Sequence, residues 1–292
     1  MIDGVLVCDK PAGVTSHDVV ASVRRLAGQR RVGHAGTLDP PATGVLVVAL
    51  GRATRLLPYL PLEPKRYEAV IAFGTETDTL DATGTVVATA DAAGVDQPAL
   101  ERAMAGFLGP QQQVPPMVSA VKVGGERLYA KARRGARSTV SPRPVTIYDL
   151  ELRELTGGDQ PLATVAVTCS GGTYVRSLAA DLGRALGTVA HLARLRRTAV
   201  GGFGEADARS PDELRAMAET GRLAEAVIDP AIAVAPLGVR PLSAHEADAL
   251  CTGQTLSPTG RAGPVAAVGP DGHLVAVIED GSGRARSKVV LA

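Results

Sequence analysis

Asp39 stands in the stretch Gly33-His34-Ala35-Gly36-Thr37-Leu38-Asp39-Pro40-Pro41-Ala42-Thr43-Gly44. Three glycines let this backbone turn tightly and come close to a ligand. Pro40 and Pro41 stiffen the chain after Asp39 and push that residue towards an extended conformation. The result is one carboxylate on a short, rigid loop, with His34 five positions before it. A turn-initiating aspartate before proline would look the same. The loop therefore defines a fixed carboxylate but not yet a reaction. No Gly-Lys-Ser/Thr follows, so it is not a nucleotide phosphate loop, and its spacing is not a dinucleotide fingerprint.

Two further places could carry chemistry. In Cys169-Ser170-Gly171-Gly172-Thr173-Tyr174-Val175-Arg176 a strand ends, two glycines turn the chain and a helix begins at Thr173. Arg176 falls in the first turn, where a positive charge opposes the helix dipole. That position makes sense if Arg176 reaches an anion, either a phosphate or a buried carboxylate. Lys65-Arg66-Tyr67 opens a strand, where tyrosine is good filler. Cys169 follows the apolar Val165 and Val167 and reads as an inert buried thiol rather than a nucleophile. His17, His34 and His191 show no metal-ligand spacing.

The elements that must position these residues follow from periodicity. Val5–Cys8 and the continuous apolar run Val45–Leu50 predict buried strands. Between them Ser16 predicts an N-cap, followed by Val19, Val20, Val23 and Leu26 at helical spacing. Ala53–Leu60 predicts a short helix. Tyr67–Phe73 predicts a strand, with Thr85–Ala88 expected to pair with it. Asp96 with Pro98 predicts a helix start, and Leu100 and Met104 lie on its apolar face. Gln111–Gly125 reads as irregular, with a short basic helix over Arg127–Arg134. Strands follow at Val145–Leu155 and Leu162–Cys169, then a helix over Thr173–Leu186. Ala190–Val200 reads as extended or partly helical. Ser210-Pro211-Asp212-Glu213 is a capping box. From residue 236 the short apolar runs Val265–Val268, Leu274–Ile278 and Val289–Leu291 among glycines and prolines predict a small β domain.

At 292 residues and 45% hydrophobic content the chain can bury a large core and is not a disordered protein. No apolar run reaches membrane-spanning length. The start of the chain shows no signal-peptide pattern, so a cytoplasmic protein is expected. Three scattered cysteines argue against a disulfide framework or a zinc site. Net charge is only +1, but basic residues cluster at Arg24–Arg31, Arg127–Arg143 and Arg194–Arg197. Three such clusters point to a polyanion partner. With 3% aromatics and no tryptophan, an RNA would be held mainly through its phosphates.

Taken together, these stretches resemble the bacterial tRNA pseudouridine-55 synthases of the TruB type. The matching pieces are Asp9–Ser16, Gly33–Gly44, Lys65–Tyr67, Gly74–Asp81, Pro116–Lys122, Gly171–Leu178 and Leu195–Arg197, in the family's order. They span residues 1 to about 200. The resemblance implies a mixed α/β catalytic domain over 1–232, with a largely antiparallel central sheet flanked by helices. It also implies an RNA-binding insertion at about 111–144 and a small PUA-like β domain over 236–292. That last segment diverges from the common pattern and is similar to the actinobacterial type.

The implied reaction isomerises a uridine of the tRNA T loop to pseudouridine, with no metal or cofactor. Asp39 matches the catalytic carboxylate. It would attack C1′, attack C6 or take a proton from the ribose, and the residues do not choose among these. Arg176 matches the arginine that pairs with it, and Tyr67 the tyrosine that stacks on uracil and is a candidate relay for the C5 proton. His34 matches the residue entering the space left by the flipped base. Tyr174 and Leu195 match pocket positions, and Lys10 and Asp81 organising ones. Arg127, Lys131, Arg133, Arg134 and Arg137 in the insertion suit phosphates. The implied partner is the tRNA T arm, met by a monomer with no protein partner and no membrane. A guide-RNA-dependent subunit of the same superfamily and a tRNA-folding chaperone are the alternative readings.

Overall fold

The structure, a computed structural model, describes residues 1–116 and 141–291, and the backbone of 122–123 and 126–127. In chain order the first elements are β1 (Gly4–Lys10), α1 (Ser16–Leu26), β2 (Val32–Ala35), β3 (Thr43–Leu50), β4 (Lys65–Phe73), β5 (Thr75–Thr77) and β6 (Val86–Thr89). Next come α2 (Gln97–Ala105), β7 (Gly109–Gln113), β8 (Lys122–Val123), β9 (Glu126–Arg127), β10 (Arg143–Thr156), β11 (Leu162–Cys169), α3 (Val175–Ala185) and β12 (Ala190–Val200). The rest are β13 (Phe203–Gly204), α4 (Pro211–Glu219), β14 (Val227–Ile228), α5 (Pro230–Val234), β15 (Val239–Pro241), α6 (Ala244–Cys251), β16 (Pro264–Val268), β17 (Leu274–Gly281) and β18 (Arg284–Val290). The fold is mixed α/β, as expected.

The chain divides into two compact units. One holds residues 1–40, 44–62 and 201–292; the other holds 41–43 and 63–200. In the first, strands run in the order β14-β1-β3, with β2 also on β3, all antiparallel. Apart from Asp9 and Lys10 at the end of β1 and Thr43 at the start of β3, these two strands are apolar on both faces and almost wholly buried. Leu6, Cys8, Leu46, Val48 and Leu50 pack with Val19, Val20 and Val23 of α1 and with Leu214 of α4. Each large aliphatic side chain buried here contributes about 1.5–3 kcal/mol. The framework that ends at the Asp39 loop is therefore held far more strongly than any loop hydrogen bond could hold it. The same unit contains the C-terminal sheet β15-β16-β17-β18, parallel only at β15–β16. It closes its own core with Leu250 of α6, a helix the sequence pattern did not mark.

In the second unit the strand order is β12-β4-β11-β10-β7, and the registered pairs are antiparallel. α3 packs against β12. Gly183 permits this, since a Cβ there would lie 2.6 Å from the Ala190 nitrogen.

Several expectations are corrected. Thr15, not Ser16, caps α1, in a capping box with Asp18. β6 pairs with β5 rather than with β4, because β11 and β12 occupy both edges of β4. Ala190–Val200 is a strand throughout, held by pairing with β4 from Ala190 to Val200 across two register shifts. The helix expected at Ala53–Leu60 is a 3₁₀ segment, Gly51–Leu56. Gln111–Gln113 is not irregular but belongs to β7, paired with β10. Arg127 lies in the small β8–β9 hairpin. The remainder of the basic helix expected to Arg134, with Lys131, Arg133, Arg134 and Arg137, lies outside the described residues.

The thiols behave as the apolar strands require. Burial pushes the Cys8 thiol up from 9.0 to about 12, and Cys169 to about 11. The native state thus favours the neutral thiol. Its contribution to stability is complete below pH 9 and is lost as pH rises towards 11 and 12. Denaturant midpoints are expected to fall across that range, and the fall should be shallower in Cys8→Ala. Under native conditions at neutral pH a thiol reagent should titrate exposed Cys251 alone. Rapid reaction of all three thiols would refute this packing.

Candidate active site

Asp39 follows β2 on the loop that returns to β3. Both of its neighbours are pinned through their backbones. The Ser16 hydroxyl accepts from the Leu38 N–H at 3.0 Å and donates to the Leu38 carbonyl at 3.2 Å. Freed from capping by Thr15, Ser16 is a buried clamp on the residue before Asp39. The Pro40 carbonyl accepts from the Gly13 N–H at 2.9 Å and from Lys10 Nζ at 3.1 Å. Lys10 is 0% exposed and also donates to the carbonyls of Pro11 at 2.8 Å and Val14 at 2.7 Å. Hydrogen bonds from a charged donor contribute about 1.5–3 kcal/mol each, which offsets much of the cost of burying an ammonium. Lys10 therefore ties β1 and the turn before α1 to the loop that carries Asp39. His34 lies one strand earlier, on β2, with its ring edge-on to His17 at 5.3 Å.

The second unit carries Tyr67, Tyr174, Arg176 and Leu195. Tyr67 is buried on β4, opposite Val167 of β11 and Arg197 of β12. Arg197 is 1% exposed and donates a hydrogen bond to Tyr67. Burial pushes the Arg197 guanidinium below its ordinary value, and Tyr67 pulls it back. Lys65, two residues before Tyr67, is also pushed down, first by burial and then by Arg197, while Cys169 and Glu63 oppose the shift. Leu195 is half-buried two residues before Arg197, opposite Ala69.

Tyr174 is the N-cap of α3, with its backbone held by the side chain of Gln113. The Gln113 carbonyl oxygen accepts from the Tyr174 N–H at 2.7 Å, and its amide donates to the Tyr174 carbonyl at 3.0 Å. Arg176 follows in the first turn and is 4% exposed. Sequence reasoning asked for an anion near this helix start, and within the unit that anion is Asp81, at 3.5 Å from Arg176. Arg176 also donates to the Thr79 carbonyl at 2.9 Å. Asp81 accepts in turn from the Thr79 hydroxyl at 2.8 Å and from the Thr83 N–H at 3.0 Å.

Asp81 is thus more central than its sequence context implied; Gln113 was not expected here, and Arg197 was marked only as part of the Leu195–Arg197 stretch, with no role of its own. Within β12 Arg197 sits in phase with Leu195, ahead of a bulge that shifts Ala199 to the position opposite Arg66.

Residues 24–175 match the model of the TruB family pseudouridylate synthase N-terminal domain. Residues 176–234 match the tRNA pseudouridylate synthase B C-terminal domain, and 237–292 the C-terminal domain of tRNA pseudouridine synthase II. The class defined here is that of the pseudouridylate synthases. A protein of Thermobifida fusca named tRNA pseudouridine synthase B is 48% identical, over 100% of this chain and 99% of its own. One of the same name from Mycolicibacterium paratuberculosis is 46% identical, over 99% and 97%. Among solved structures, a chain of a Cbf5-Nop10-Gar1 complex superposes with a TM-score of 0.73 at 28% identity, covering 99% of this chain and 85% of that one. The chain belongs to the TruB family.

Proposed function

We propose that this chain isomerises uridine to pseudouridine in tRNA, and that its target is position 55 in the T loop. The reading is carried by full-length identity of 48% to a protein named tRNA pseudouridine synthase B. Ionised Asp39 engages the ribose or the base after the uridine flips out of its loop. Arg176 pairs with Asp39 and orients it during the reaction. Tyr67 covers the uracil, His34 occupies the space it vacates, and Tyr174 and Leu195 bound the pocket. Lys10 keeps the Asp39 loop in place. Arg133 and Arg134 of the insertion hold T-arm phosphates.

Residues 1–232 form the catalytic domain, and 236–292 a PUA-like module. The enzyme works as a monomer in the cytoplasm, where its tRNA is, and a tRNA-folding role accompanies the chemistry. Tritium release from 5-³H-uridine in a bare tRNA transcript tests the reading. Release confined to position 55, with no guide RNA or second protein added, is expected. A requirement for either, or no release, would overturn it.

A further inference from the structure

We infer that Arg197 is a positioning residue for the final proton transfer: it holds the Tyr67 hydroxyl and favours its oxygen as the acceptor of the proton leaving C5. The inference rests on the proposed uridine isomerisation. Three observations carry it. Arg197 is almost wholly buried, and a guanidinium in that setting must spend its donors on acceptors within the fold. One of those acceptors is Tyr67, directly across the β4–β12 pair. Lys65 adds a second positive charge two residues along β4. A phenolic oxygen facing buried positive charge is stabilised when it carries negative charge, because the interior screens poorly. Of the other charged or titratable groups on these elements, Arg66 and Glu68 alternate to the opposite face of β4 and Arg196, paired with Glu68, to that of β12; Cys169 of β11 shares the Tyr67 face, His191 and Arg194 lie further along β12, and α3 carries Arg176, Asp181 and Arg184. Cys169 is held neutral by burial, so it does not cancel the field.

The chemistry needs such a group. Once C5 is joined to C1′, C5 still carries its hydrogen. The C5–H bond breaks, its proton passes to the ionised Tyr67 oxygen, and its electron pair forms the C5–C6 double bond. N1 takes a proton from water, and Tyr67 returns its own to the hydroxide left behind. Arg197 touches no reacting atom and acts only through Tyr67.

The test compares wild type, Arg197→Gln and Arg197→Lys in single turnover on tRNA carrying 5-¹H- or 5-²H-uridine, with tRNA affinity and thermal melting measured alongside. Arg197→Gln is expected to bind tRNA as wild type does and to convert it about 10²-fold more slowly, the scale of a mispositioned acid–base group. Deuterium at C5 should slow this variant more than it slows wild type. Arg197→Lys keeps the charge and should fall between the two, which also covers the case that Arg197→Gln does not fold. Equal slowing with both isotopes, no rescue by lysine, or unchanged rates would overturn the role of Arg197. A wild type that makes no pseudouridine would instead overturn the proposed function.

Discussion

Asp39→Asn will fold, bind tRNA and form no pseudouridine. The substitution keeps the size and shape of the side chain and removes only its charge. The backbone on either side is fixed by groups that do not depend on that charge. Ser16 holds Leu38, and Lys10 and Gly13 hold Pro40. Asp39 is partly exposed, so the change in stability should stay within about 1 kcal/mol. Chemistry is another matter. Nucleophilic attack and proton abstraction both need the ionised carboxylate, and an amide offers neither. The loss should exceed about 10⁴-fold, the upper end of what a positioned acid–base group contributes. Circular dichroism would establish folding, filter binding would establish tRNA affinity, and tritium release would report turnover. Wild-type turnover by the folded variant would remove Asp39 from the reaction.

The elements that frame Asp39 were legible because their signals are local. A continuous apolar run marked β3, and the glycines and prolines marked a stiff loop after β2. The helix cap was misplaced by one residue because Thr15 and Ser16 are both good caps, and only the fold shows that the second hydroxyl goes to Leu38. Pairings were less legible. Thr85–Ala88 has the composition to pair with any strand, and its exclusion from β4 depends on two partners distant in sequence, β11 and β12. The same limit hid Arg197. Its significance lies in facing Tyr67, and 130 residues separate the two along the chain. Arg176 was legible in part. Helix electrostatics demanded an anion at that position, but which carboxylate answers within the unit was decided by the turn around Leu80.

That turn supports the second large effect, which is expected in Asp81→Ala. Asp81 and Arg176 are both buried, with 9% and 4% of their side chains exposed. The hydroxyls of Thr79 and Thr83 and the Thr83 N–H all donate to one carboxylate oxygen of Asp81, while the other faces Arg176 at 3.5 Å. Leu80, between Thr79 and Asp81, is held at φ +60°. For a side chain with a Cβ that backbone costs roughly 1–2 kcal/mol, so the turn persists only because its surroundings fix it. Alanine at 81 removes the anion from a buried cation and the acceptor from three donors at once. Removing one partner of a buried ion pair typically costs about 3–5 kcal/mol, and a loss of that order is expected in the unfolding free energy. Arg176 would lose its orientation with the turn, so single-turnover conversion should slow by at least about 10²-fold even where the protein remains folded. A double-mutant cycle with Arg176→Met separates the two causes. Coupling of about 0.5–3 kcal/mol in stability would show that Asp81 acts on Arg176 directly. Strictly additive losses, or a wild-type rate in Asp81→Ala, would mean that the turn is held by its threonines alone and that Arg176 keeps its place without Asp81.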